Sequence, residues 1–464
     1  MAASFGAAIR IDEINDMNTI RSGEPLSSLA VAILALLTIG HAGKASAATV
    51  PATNCNDGGY GSLRSAVASA ASGDTVDLRG LRCSAITLVN GPIAIAQTDL
   101  TLVGPGRALA VSGNHSSSVF RHSGKGVLRI EHLTVAYGLE QADNQEAQGG
   151  CIYSTGSVEL DHVKVHSCSA VGSGHFGSGW GGGIYAVRNV RLLHSFVDSS
   201  EAHGTYEGES PSISAGGGVV AGNLWVDHST ICHNRSGTNF GGAFVRGSLH
   251  LVYSSVTDNY ARGSAAAFQV NWSAWILHST IAGNYARDGG IANFAGDART
   301  RLMVVDSTIT NNSAESLSGL LISNPSAVLV NNTIAFNHER FENSSTCGGA
   351  LNWVGTIHLE STIVARNTCG KLPVDINVSS FIDGDNNLVM ASNAFVLPPG
   401  TIISADPRLA PLANNGGPTK TRGLMSGSPA IDAGNNAAGL DYDQRGPGFP
   451  RVKGLRADIG AVER

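Results

Sequence analysis

Charge and aromatic residues are scarce in this sequence: 14% of its 464 residues are Asp, Glu, Lys or Arg and 6% are Phe, Trp or Tyr. Surface helices expose long charged faces, so this composition argues against a mostly helical chain. The 36 acidic and 30 basic side chains leave a formal charge of −6 with no basic stripe, which excludes a nucleic-acid footprint. No C-x-x-C pair occurs among the seven cysteines, so the usual zinc-module spacing is missing. The apolar run from Leu29 to Ile39 is too short to span a bilayer comfortably. Glycine is what abounds, at 58 residues, and glycine with little charge suits tight turns between short strands.

The apolar run follows Arg21 and precedes Ala45-Ser46-Ala47, a small-x-small pattern that a signal peptidase accepts. Residues 1–47 therefore read as a signal peptide, with Met17 as an alternative start. The expected location is outside the cytoplasm: secreted, at the cell surface or in a bacterial periplasm. No membrane-spanning segment is expected in the mature chain, and a monomer is expected. Export permits disulfides. Sequence position suggests Cys55–Cys83, Cys151–Cys168 and Cys347–Cys369, with Cys232 left over, although spacing alone does not fix connectivity.

A repeated phrase points to the fold. It reads LWVDHSTICHN from Leu224, LHLVYSSVTDN from Leu249, AWILHSTIAGN from Ala274, RLMVVDSTITNN from Arg301 and AVLVNNTIAFN from Ala327. A variant, IHLESTIVARN, starts at Ile357, and weaker copies come earlier. The closing apolar residues, including Ile231, Val256, Ile281, Ile309, Ile334 and Ile363, recur every two to three dozen residues. Glycine pairs before short apolar strands, such as Gly183-Ile184-Tyr185-Ala186 and Gly242-Ala243-Phe244-Val245, mark a second strand type. A Gly-led, an L-x-L and an S-T-I strand in each period predict a right-handed parallel β-helix with three strands per coil. Alternation sends every second side chain inward, and stacking at ~4.8 Å places like residues over like. Asn234, Asn259, Asn284, Asn312 and Asn337 each follow the closing residue by three positions and predict an amide ladder at one corner.

A solenoid end must be covered. Ser62 to Ser72 reads as a short capping helix with Leu63, Val67 and Ala71 on its inner face. After about Lys371 the repeat fades into Pro, Gly, Asn and Asp, so the expected division is a capped β-helix over 48–370 and a loop-rich closing segment over 371–464.

The run ADPRLAPLANNGGPTKTRGLMSGSPAIDAG, then DQRG from Asp443 and DIGAVE from Asp458, resembles the choice-of-anchor Q domain of bacterial exported proteins. CNDGGYGSLRSAVASAASGDTVDL from Cys55 and LTLVGPG from Leu100 resemble the openings of the same proteins. The resemblance covers nearly all of the mature chain. It implies a pectin-lyase-like β-helix and no settled activity. Relatives often continue into a sorting tail; the chain here stops at Arg464, which favours a free rather than an anchored protein.

Chemistry is thinly marked, and fold does not give function. Trp225-Val226-Asp227-His228 resembles a pectate-lyase string and makes Asp227 and His228 the catalytic candidates, although it fills an ordinary repeat position. The intact acidic strings of polygalacturonases are absent. Asp383, Asp385 and Asn387 alternate as calcium ligands do, without the Gly and Glu of a complete loop; otherwise no cofactor is expected. The longest insertions carry His175, Trp180, His203 and Tyr206, the candidates for glycan binding. Two readings follow. The first is a non-catalytic exported protein that contacts a polysaccharide or another cell-surface component; the alternative is a lyase or glycoside hydrolase acting on acidic polysaccharide.

Overall fold

The structure is a computed structural model that describes residues 47–204, 213–289, 291–295, 300–315, 320–323, 326–340, 351–354, 356–378, 382–392 and 396–464. Residues 1–46, most of the stretch read as a signal peptide, lie outside the described residues, as do Tyr206 and Cys347. No described helix is long and apolar enough to cross a membrane.

The chain winds into a parallel β-helix. Thirteen L-x-L strands, from Thr49–Pro51 to Ile382–Asp383, form one parallel sheet, and thirteen S-T-I strands, from Ala85–Thr87 to Ile402–Ile403, form a second. Eleven Gly-led strands, from Ile93–Ile95 to Ile376–Val378, form the third. A fourth set of short strands was not expected. Leu139–Asp143, Ser169–Ser173 and Glu201–Gly204 begin it, two-residue strands continue it, and the antiparallel Leu372–Pro373 closes it. These follow the Asn corner, where the turn is long enough to pair with the coil above. The sheets also run past residue 370, through Leu388–Val389 to Ile402–Ile403, before the closing segment begins.

The aliphatic column stacks as the repeat predicts: Val197 over Ile231, then Val256, Ile281, Ile309 and Ile334 in unbroken register. One member is corrected. Ile334 pairs with Val364, and Ile363 pairs with Thr333 on the outer face. Leu359 stays in register with Leu329, so the S-T-I triplet there is shifted by one position while the phrase length is unchanged. Burial of each such inward residue contributes ~1.5–3 kcal/mol.

The Asn ladder is present and complete. Asn234 Oδ1 accepts from Ser200 N at 3.0 Å, and the side chain donates from Nδ2 to Val197 O (2.9 Å) and Asn259 Oδ1 (3.1 Å). The pattern repeats through Asn259, Asn284, Asn312 and Asn337 and extends one coil further to Asn367. Asp375 ends the ladder, accepting from Asn367 N and Nδ2 at 2.9 and 2.8 Å. A second ladder turns the corner between the L-x-L and S-T-I strands. Ser195 N donates to Ser229 Oγ (2.9 Å), Ser229 N to Ser254 Oγ (3.1 Å) and Ser254 N to Ser279 Oγ (3.1 Å). Ser307, Asn332, Thr362 and Asn387 extend it.

Glycine pairs are required at the third corner. Gly181 sits at φ +63°, and a Cβ on Gly182 would stand 2.3 Å from Glu201 O and 2.4 Å from Gly217 O. The Cys55–Cys83 and Cys151–Cys168 disulfides are both formed. Cys369 is disulfide-bonded, Cys347, its expected partner, lies outside the described residues, and Cys232 is free.

The capping helix spans Leu63–Ser69, shorter than expected, with Ser62 Oγ accepting from Ser65 N. Leu63, Ala66 and Val67 face inward and Ala71 is exposed. The closing segment does not simply plug the C-terminal end; it also lies along the outer face of the S-T-I sheet. Gln444 is wedged among Ser279, Thr280, Thr308 and Thr419, and Ala461 N donates to Thr333 Oγ1 at 3.1 Å. Arg451 is fully buried, 3.4 Å from Asp306 and 3.2 Å from Glu463.

Candidate functional site

The outward positions of the Gly-led strands hold one register: Arg121, Tyr153, Tyr185, Val220, Phe244, Gln269 and Asn293 follow one another from coil to coil. Strand geometry makes these side chains project from the solenoid. The Tyr153 and Tyr185 rings stack at 5.7 Å and 7°. The Arg121 guanidinium lies over Tyr153 at 4.6 Å, and Arg246 lies over Tyr185 at 5.1 Å while donating to its hydroxyl at 2.7 Å.

A wall rises beside this column. The insertions pair as Glu146–Gln148 with Ser178–Trp180, and the bridge from Trp180 to Ala215 to Asn239 carries the wall onward. Between wall and column lies an open cleft of about 380 Å³, lined by Glu146, Trp180, Tyr185, Phe244, Arg246 and Asn271. Trp180 stands 6.0 Å from Phe244, which stacks on Phe240 at 4.9 Å. The Trp180 indole donates to Ser178 Oγ at 2.9 Å, which fixes the ring. Glu146, the one carboxylate among the described lining residues, accepts from Gln148 at 2.6 Å.

Of the glycan candidates, Trp180 is in the cleft. His175 is exposed, its ring against Phe176 and its backbone N–H donating to Asn144 Oδ1 at 2.9 Å. His203 is an exposed residue of a fourth-set strand. Tyr185, Phe244 and Arg246 were missed as site residues. Their signal was the aromatic residue recurring at the middle of the Gly-led strands.

Asp227 and His228 lie elsewhere. His228 takes a left-handed backbone (φ 46°) at the corner after the L-x-L strand. It belongs to a column of rings, His132, His162, His194, His228, Tyr253 and His278, with centroids 4.6 to 5.4 Å apart. Asp227 pairs with His228 Nδ1 at 2.7 Å. Burial opposes ionisation of Asp227, but that hydrogen bond and nearby positive charge outweigh it and hold its carboxyl below the ordinary range. Asp383 pairs with His358 at 3.0 Å, Asp385 accepts from Asn386 N, and Asn387 is buried in the second ladder, donating to Leu359 O at 2.7 Å.

No protein-family model matches the chain, and no curated protein matches it. Among solved structures, the crystal structure of pectate lyase Pel9A aligns over 90% of this chain and 97% of its own, at 13% identity and a TM-score of 0.44. A likeness at that level carries no inference about activity.

Proposed function

We propose that this is an exported, non-catalytic β-helix protein that holds a polysaccharide in the aromatic cleft. The observation that carries the reading is the convergence of Trp180, Tyr185 and Phe244 on one cleft with Arg246 and Asn271 at its edge. Aromatic faces cover the apolar faces of sugar rings, while a guanidinium and an amide hydrogen-bond hydroxyls or carboxylates. Cleavage of a glycosidic bond by the common hydrolytic route needs two convergent carboxyl groups. Among the described lining residues there is one, and this favours binding over the hydrolase reading; a lyase, which needs a basic residue rather than a carboxylate pair, is separated by the assay for unsaturated products. The disulfides support an oxidising compartment. The C-terminal motif strings support placing the chain in the choice-of-anchor Q group.

Affinity electrophoresis against neutral and uronate-containing polysaccharides tests the proposal, with parallel assays for reducing ends and unsaturated products. Retardation without product is expected. Trp180→Ala and Phe244→Ala should each weaken binding by roughly tenfold or more, the scale of one lost aromatic contact. Product release by the wild-type chain would overturn the non-catalytic reading, and unchanged binding in both variants would remove the cleft from it.

A further inference from the structure

We propose that Asp198, Cys232 and His233 form a site for a thiophilic divalent cation of the zinc class, on the outer face of the S-T-I sheet. Strand register creates it: Asp198 pairs with Cys232 on the next coil, and His233 follows in the left-handed corner position (φ 54°), which turns its ring back over the sheet. One carboxylate oxygen, the thiol sulfur and one imidazole nitrogen all lie within 4.8 Å of one another. His233 Nδ1 stands 3.8 Å from Asp198 Oδ1. Zinc bonded at about 2.0–2.3 Å sets tetrahedral ligands roughly 3.3–3.8 Å apart; His233 and Asp198 already meet that spacing at 3.8 Å, and side-chain rotation must bring in the sulfur, which lies within 4.8 Å of both. Sulfur, nitrogen and oxygen together select zinc over calcium or magnesium, which take oxygen alone. Three protein ligands leave the fourth position for water or a donor from outside the chain.

The surroundings pull both ways: burial and the Asp198 and Asp258 carboxylates push the Cys232 thiol up to about 12, so the cation must displace a firmly held proton. Asp198 is held ionised: burial opposes its charge, but hydrogen bonds from Ser199 and Lys164 outweigh burial and lower its pKa. Ser199 Oγ donates to Asp198 Oδ1 at 2.6 Å, the same oxygen that faces His233, so the hydroxyl must turn aside for a metal. The Lys164 ammonium sits 3.1 Å from Asp198 Oδ2 and His166 Nδ1 3.2 Å from the same oxygen, so the other oxygen faces His233. On binding, the Cys232 S–H bond breaks, the sulfur lone pair bonds the metal and the proton passes to bulk water. Lys164 is the built-in competitor, a cation already resting on the same carboxylate.

Titration of the whole chain with Co²⁺ alone, as the spectroscopic stand-in, with the disulfides intact and Cys232 as the thiol, tests the site. One equivalent should produce a thiolate-to-cobalt charge-transfer band that Zn²⁺ bleaches. Cys232→Ser should abolish the band, His233→Ala should weaken binding by roughly tenfold or more, and Lys164→Met should tighten it. His194→Ala, in the nearby Asp161, His162 and His194 group that offers only nitrogen and oxygen, should leave the band intact. Circular dichroism of each variant guards against misfolding, which matters most at Cys232, the least exposed of the four positions. Absence of the band in a folded wild-type chain, or its persistence in Cys232→Ser, would overturn the proposal. Polysaccharide binding in the cleft is independent of either result.

Discussion

Asn284 holds the corners of neighbouring coils together through one buried amide. Its Oδ1 accepts from Asn259 N and Nδ2, both at 3.0 Å, and its Nδ2 donates to Val256 O and Asn312 Oδ1, both at 2.9 Å. Asn284→Ala leaves a buried N–H and a buried carbonyl without partners, so a loss of about 2–4 kcal/mol is expected, read from the denaturant midpoint. An unchanged midpoint would mean that water replaces the amide at no cost. Glu463 behaves differently. Burial raises its pKa to about 7, with Arg451 pulling the other way. A carboxyl raised in the folded state binds more protons folded than unfolded between its ordinary value and about 7. Its contribution is therefore full below pH 4.5 and is lost as pH rises through 7. His278, held near 3 mainly by burial, works in the opposite direction over part of that window, gaining stability as pH rises toward 6.5. The Glu463 share is isolated by comparison: Glu463→Gln should remove a stability decline on the order of 1–3 kcal/mol between pH 4.5 and 7, measured as melting temperature against pH. The Asn residues were legible in the sequence because their spacing repeats; Glu463 was not, since nothing in DIGAVE shows that its carboxyl meets a guanidinium from Arg451.

Strands and corners account for what could be read ahead. The aliphatic column was legible because inward burial forces one residue type at one position in every coil. The Ser ladder was not, because Ser229, Ser254 and Ser279 were read as the first letters of S-T-I strands rather than as a corner that accepts backbone N–H groups. Ile363 was misplaced for the same reason: anchoring on the triplet hid the fact that Leu359 and Asn367 keep their spacing. Its true neighbours are the apolar residues of the closing segment, Leu409, Leu424 and Ile459 among them. The cleft was half legible. The insertions named Trp180, but only pairing of coils brings Phe244, two coils further along, to 6.0 Å from it. At this scale Gly182→Ala is informative. The new methyl would collide with backbone carbonyls on two coils, neither of which can rotate away. A loss of about 1–3 kcal/mol is expected, with faster amide exchange confined to neighbouring Gly-led strands. Uniform exchange across all sheets would show that the corner is not a local constraint.

A solenoid coil touches mainly the coils beside it, so cooperativity fades with distance unless something spans several coils. The closing segment does that. Its contacts reach from His278 and Thr280 to Ser361 and Ile363, crossing four successive coils, and Arg451 sits within that span against Asp306. Arg451 faces Asp306 from the solenoid and Glu463 from the segment's own end, with all three side chains almost wholly buried. Burial raises the Asp306 pKa well above the ordinary range and Arg451 opposes that rise, so the guanidinium is what makes the cluster tolerable. Arg451→Met keeps most of the side-chain volume and removes the charge. The expected cost is ~3–5 kcal/mol, because the acids are left buried without a cation. The segment should then release before the coils do: denaturant unfolding would split into two steps, the first reported by dye binding to newly exposed outer-sheet surface and the second by loss of β-sheet circular dichroism. Adding Asp306→Asn and Glu463→Gln removes the orphaned charges, so this triple variant should recover part of the loss and merge the two steps again. A single unchanged transition in Arg451→Met would show that the coils are coupled through their own ladders and that the segment rides on them passively.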